Sequence, residues 1–148
     1  MALAVICLWP VLVFAQIALV PNVEPQRVFA GEARQISVAW RNDGKQLYEG
    51  QIRARVLQTS SATAVLVGQG EWKRLQVLPQ QTVLESARLD FPAVKAETRF
   101  LVQWLMAANR VIGTTEVWVY PTNLLAELKP LLDGETLGVL DPNDELKP

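Results

Sequence analysis

The sequence predicts an all-β protein, an antiparallel β-sandwich. Between Gln26 and Tyr120 apolar side chains recur at every second position, turn-forming residues interrupt the runs at short intervals, and no long helical pattern occurs. Half of the 148 residues are apolar and a fifth are charged, enough for about one domain with its own core.

The first element is an address. Residues 2–15 are apolar and uncharged, and the run closes on Val13-Phe14-Ala15 before Gln16. Small residues at the −3 and −1 positions fit a signal peptide cleaved between Ala15 and Gln16, although the usual basic n-region is missing. Two other readings stay open: residues 2–20 as an uncleaved membrane anchor, or a true start upstream of Met1. The stretch before Cys7 lacks the small residue that a lipoprotein needs. The expected location is secreted or periplasmic, with membrane attachment only if 2–20 is retained.

The strands follow in order. In 33–41, Ile36, Val38 and Trp40 share one face. In 51–57, Ile52, Ala54 and Val56 point inward while Arg53 and Arg55 form an outward, solvated stripe. In 87–91, Ala87, Leu89 and Phe91 alternate with Arg88 and Asp90. Residues 99–106 carry Phe100, Val102, Trp104 and Met106 on one face and Leu101 and Leu105 on the other, as a central strand does. Residues 114–120 close the set with Val117 and Val119 inward. Turns are expected at 30–32, at 42–45 (where Gly44 supplies a positive φ), at the Gly-Gln-Gly of 68–70, at Pro79, at Pro92 and at 108–110.

Beyond Pro121 the period changes. Thr122 or Asn123 would cap a helix striped by Leu124, Leu125, Leu128 and Leu131 and ended by Pro130. A buried strand at 136–140 and a new helix start at 141–147 follow, the opening of an α/β domain. The expected organisation is thus 1–15 as signal or anchor, 16–121 as sandwich, and 122–148 as a short α/β extension. We expect the parent chain to continue into that domain; the alternative is a complete protein with a loosely packed tail.

Several chemistries are excluded. The chain has no histidine and one cysteine, so neither a His-based triad nor a thiolate metal site can be built. No phosphate-binding glycine motif occurs. Asp141, Asn143, Asp144 and Glu145 offer oxygen ligands but lack the glycine and spacing of a calcium loop. Fourteen basic residues against fifteen acidic ones give a net charge of −1, without the basic footprint of a nucleic-acid binder. We expect no enzyme activity, no cofactor and no metal. For binding, Tyr48, Trp72, Trp118 and Tyr120 fall outside the clear inward registers. They are candidates for contact with a carbohydrate, a protein partner or a neighbouring domain.

Residues 30–57, from the Ala30-Gly31-Glu32 turn through the Asn42-Asp43-Gly44 turn, together with 89–121, from Pro92-Ala93-Val94 to Trp118-Val119-Tyr120-Pro121, resemble the immunoglobulin-like accessory domains of β-galactosidase-type glycoside hydrolases. The similarity covers roughly 22–121 and rests on fold-determining positions. It implies an immunoglobulin-like or fibronectin-III-like sandwich without catalysis, because the family's carboxylate pair lies in a separate barrel domain. The expected role is a structural or spacer module of a larger extracytoplasmic, sugar-active protein. The alternatives are a carbohydrate-binding module acting through Trp72 or Trp118, and an adhesion module recruiting a partner through an exposed strand edge.

Overall fold

Eight strands build two facing sheets among the residues that this computed structural model describes, 17–123 and 126. They are β1 (Ile17–Val20), β2 (Gln26–Phe29), β3 (Ala33–Asn42), β4 (Tyr48–Thr59), β5 (Ala64–Val77), β6 (Thr82–Asp90), β7 (Thr98–Leu105) and β8 (Val111–Tyr120). One sheet has the order β1-β3-β6 and the other β2-β8-β7-β4-β5. This is an all-β sandwich of two sheets, with the first strand split between them. The division falls at residues 21–25, where Pro21 and Pro25 have no N–H to extend a ladder. β1 runs antiparallel to β3, whereas β2 runs parallel to β8, the one exception to the expected antiparallel pairing among the described strands.

The inward faces are those the alternation predicts. Ile36, Val38, Trp40, Ile52, Phe100, Val102, Trp104, Val117 and Val119 are all buried, and β7 is central between β8 and β4. Each large side chain so buried contributes ~1.5–3 kcal/mol relative to exposure, and the interior needs no cross-link. Gly31 sits at φ +89°, the left-handed geometry that its turn requires.

Three expectations are corrected. Residues 68–70 are not a turn but lie within β5, which spans 14 residues. Gly44 does not adopt a positive φ; the turn is held by Asn42, whose Oδ1 accepts the Gly44 N–H at 2.9 Å. Ile17–Val20 is a strand on β3, so an anchor reaching residue 20 conflicts with the last four of its residues. Among the described residues no helix is long and apolar enough to cross a membrane. Residues 1–16, and the tail beyond the Thr122-Asn123 turn apart from Ala126, lie outside the described residues. The signal, the α/β extension and the 141–145 loop lie there with them.

The two ends of the sandwich differ. One carries the turns 42–48 and 78–81, laced together by Asn42. Its amide donates to the Gln46 and Val77 carbonyls at 2.8 and 2.9 Å, its carbonyl accepts from Gln80 N–H, and its N–H donates to Gln81. At the other end lie the 60–63 hairpin turn, the 30–32 bend and the end of β8.

Candidate functional site: a groove beside a free strand edge

Sheet size creates the site. Five strands face three, and both β5 and β6 are edge strands on the same side of the sandwich. Near the laced end they are drawn together: Leu75 and Val77 are buried, and Lys73 Nζ meets Glu85 Oε2 at 2.7 Å across the sheets. Beyond that bridge the strands leave a groove of about 580 Å3 between them. Ala54, Val56, Gly68, Gly70, Trp72 and Leu89 line it, with Glu71, Arg88 and Asp90 at its polar margin.

Two β-bulges shape β5. Its pairing with β4 shifts after Ile52, leaving Trp72 as the extra residue, and again after Val56, leaving Val67. The first bulge turns Trp72 toward the interior, where its ring lies 4.9 Å from Trp104 and 6.1 Å from Trp40. Trp104 N–H donates to Thr115 Oγ1 at 2.9 Å, so this buried indole is satisfied. Past the bulge, Gly70 and Gly68 stand opposite Ala54 and Val56 on the inward face, and a Cβ added to either would meet nothing within 4 Å. β6 stands across the groove from them, with none of its atoms within 4 Å of such a Cβ.

The backbone edge beside this groove is equally uncovered. Residues 60–70 carry no charge and no proline, and Val65, Leu66 and Val67 are 60%, 55% and 39% exposed. Among the described residues no side chain hydrogen-bonds to the backbone of 64–70. The free part of the β3 edge is treated otherwise. There Gln26 Nε2 donates to Ser37 O at 3.0 Å and Gln26 Oε1 accepts Ser37 N–H at 3.1 Å, a side chain standing in for a missing strand.

The four predicted aromatics do not form one surface. Tyr48 is buried, contrary to its assignment outside the inward register: it is in phase with Ile52 and Ala54, and its ring lies across Gly50, where a Cβ would come within 2.6 Å of the hydroxyl. Among the described residues the hydroxyl has no hydrogen-bond partner, and burial raises its pKa above the ordinary value near 10, with Arg110 acting in the opposite direction. Trp72 lines the groove. Trp118 and Tyr120 are half-buried on the outer face of β8, with β7 and β4 between them and β5. Trp118 is in register with Arg27 and Arg99, and Tyr120 packs on Phe29 with ring centres 6.4 Å apart.

Among the described residues the two carboxylates of interest stand apart. Asp90 and Glu116 lie on the outer faces of different sheets, and Glu116 is bound to Arg99 at 2.9 Å. Arg55 donates to Gln69 and Gln103, and Arg53 to Asn109, as on a solvated face. No cluster of metal-ligating side chains occurs among the described residues.

Sequence reasoning missed Val65, Leu66, Val67, Gly68 and Gly70. Two glycines flanking one residue suggest a turn, but eleven uncharged residues with a Val-Leu-Val core were the available signal for an edge strand.

No protein-family model and no curated protein matches this sequence. Among solved structures, the chain is similar to an alkylpurine DNA glycosylase of Pseudomonas fluorescens bound to DNA containing an abasic site analog. Identity is 12%, TM-score 0.53, and the match covers 72% of this chain and 31% of that one. A β-glucosidase of Listeria innocua in complex with laminaribiose matches at 13% identity and TM-score 0.48, over 73% of this chain and 17% of that one. A chaperone–tip adhesion subunit complex of Acinetobacter baumannii pili matches at 15% identity and TM-score 0.45, over 88% and 74%. The first likeness supports the fold and nothing finer. The other two fall below the similarity at which fold can be argued. The chain spans about a third of the glycosylase and a sixth of the glucosidase.

Proposed function

We propose that this chain is a non-catalytic β-sandwich module of a larger exported protein, engaging its partner by accepting an extended strand along β5. The observation that carries this reading is the 64–70 edge, whose backbone is uncovered and whose inward face is two glycines over unfilled space. An added strand would satisfy the free N–H and C=O groups and cover the groove in one step. The lack of histidine and the separation of Asp90 from Glu116 support a binder over a catalyst. The accessory-domain resemblance supports attachment to a larger sugar-active parent, and the apolar 1–15 segment supports export.

Hydrogen exchange on the full chain, diluted until it is monomeric, tests the edge. With an alternating valine–threonine heptapeptide at saturation, amides within 64–70 slow at least tenfold, and Leu66→Pro abolishes the effect. Exchange unchanged there would remove the reading. Carbohydrate binding is a second reading, favoured by Trp72 in the groove wall. Retardation in a polysaccharide affinity gel that is lost on Trp72→Ala would support it, and equal mobility with and without polysaccharide would dismiss it.

A further inference from the structure

Resting on the strand-acceptor reading, we infer that the strand accepted by β5 is the β5 of a second copy, paired antiparallel across a two-fold axis. One register makes the edge complementary to itself. With Val65 opposite Gly70 of the second copy, Val67 falls opposite its Gly68, Leu66 opposite Gln69 and Ala64 opposite Glu71.

Three features of the molecule favour this register. The first is the agreement of faces. Val65 pairs with Gln58, which pairs in turn with the buried Phe100, so Val65 belongs to the inward face, as Gly70 does through Ala54. Directly opposed residues of an antiparallel pair share a face, so Val65 comes to lie on the side where Gly70 leaves space. Leu66, opposite Leu57, is on the outer face, as Gln69 is through Arg55.

Size is the second. The exposed valines of one copy stand beside the glycines of the other, where no atom lies within 4 Å of an added Cβ. A one-residue slip would set the inward Val65 opposite Gln69 or Glu71, which belong to the outer face through Arg55 and Arg53.

The third is charge. Residues 60–70 are uncharged, and Glu71 would face Ala64 of the second copy, where its β5 begins and the chain turns away through 60–63. No like charges meet across the seam. A two-fold contact of this kind closes on itself, which keeps an unprotected edge from propagating into fibres. The paired edge is short, so the dimer belongs to the concentration-dependent class.

Cross-linking reads the register directly. In a Cys7→Ser background, Val65→Cys/Gly70→Cys is expected to form an inter-copy disulfide under mild oxidation. Each single cysteine does not, because position 65 is five residues from its own symmetry mate along the strand. Association through the apolar N-terminal run would not produce this pattern. Sedimentation of the full chain is expected to show a dimer whose half-maximal concentration rises at least tenfold with Val65→Lys, without change in the far-ultraviolet spectrum. A dimer unaffected by Val65→Lys, or a double variant that fails to cross-link, overturns the inference. A chain monomeric to millimolar concentration that still shows slowed 64–70 amides with the heptapeptide removes the second copy and leaves the strand acceptor. Protection by neither removes both.

Discussion

The two ends of the β5–β6 side use the same strands in opposite ways. Near Asn42 the sandwich is closed: Leu75 and Val77 are buried, the turns at 42–48 and 78–81 share one buried asparagine, and Lys73 meets Glu85 across the sheets. Toward the 60–63 hairpin, β5 offers Gly70, Gly68, Val67 and Val65, and nothing covers them among the described residues. The difference teaches that a strand can be integral to the core along half its length and an interaction surface along the rest. What changes is whether a facing layer is in contact, because side chains in a sandwich gain stability only where a second sheet takes them out of water.

The largest expected effect lies in the closed region. Trp104→Ala removes a fully buried indole that contacts Trp40 and Trp72 and should cost about 3–5 kcal/mol, read as a lower denaturation midpoint. A cost no greater than that of a surface substitution would mean that the closed part is not the stability core. Asn42→Ala comes next. It removes two amide donors and one acceptor at the turn junction, leaves the Val77 carbonyl short of a partner, and should cost roughly 1–3 kcal/mol.

In the open region the sign reverses. Gly70→Ala introduces a Cβ into empty space within a strand and should stabilise by about 0.5–1 kcal/mol. Destabilisation would show that the space is not free. The smallest effect at neutral pH is expected from Tyr48→Phe, which deletes a buried hydroxyl without a partner among the described residues and should change stability by less than about 1 kcal/mol. Its pH dependence is more telling. Burial keeps the phenol protonated in the folded chain above its ordinary pKa near 10, while the unfolded chain releases the proton there. Stability therefore declines as pH rises from that value through the folded one, and the phenylalanine variant should lose this part of the decline. Parallel alkaline profiles for the two proteins would contradict the burial of Tyr48.

Much of this was legible beforehand. Period-two alternation named Trp40, Ile52, Phe100, Trp104, Val117 and Val119 as interior, because pleating sends every second side chain to the same side. Tyr48 was legible too, since stepping back by twos from Ile52 passes Gly50 and reaches it. Trp72 was not: its inward direction comes from a bulge, an extra residue that shifts the parity of everything after it, and no local pattern marks where a bulge falls. Gly68 and Gly70 were misread because a glycine pair has the same appearance in a turn and in a strand with nothing to pack against.

Residue order by itself settled the class of fold, the inward faces of the regularly alternating strands and the lack of histidine- and thiolate-based groupings, since these depend on local periodicity and on which side chains exist at all. Only the folded molecule decided that the first strand is divided between sheets, that β5 outruns the sheet opposite, and that two glycines floor an open groove. Those outcomes depend on how many strands each layer recruits, which is a balance among contacts distant in the chain and so leaves no mark on any short stretch of it.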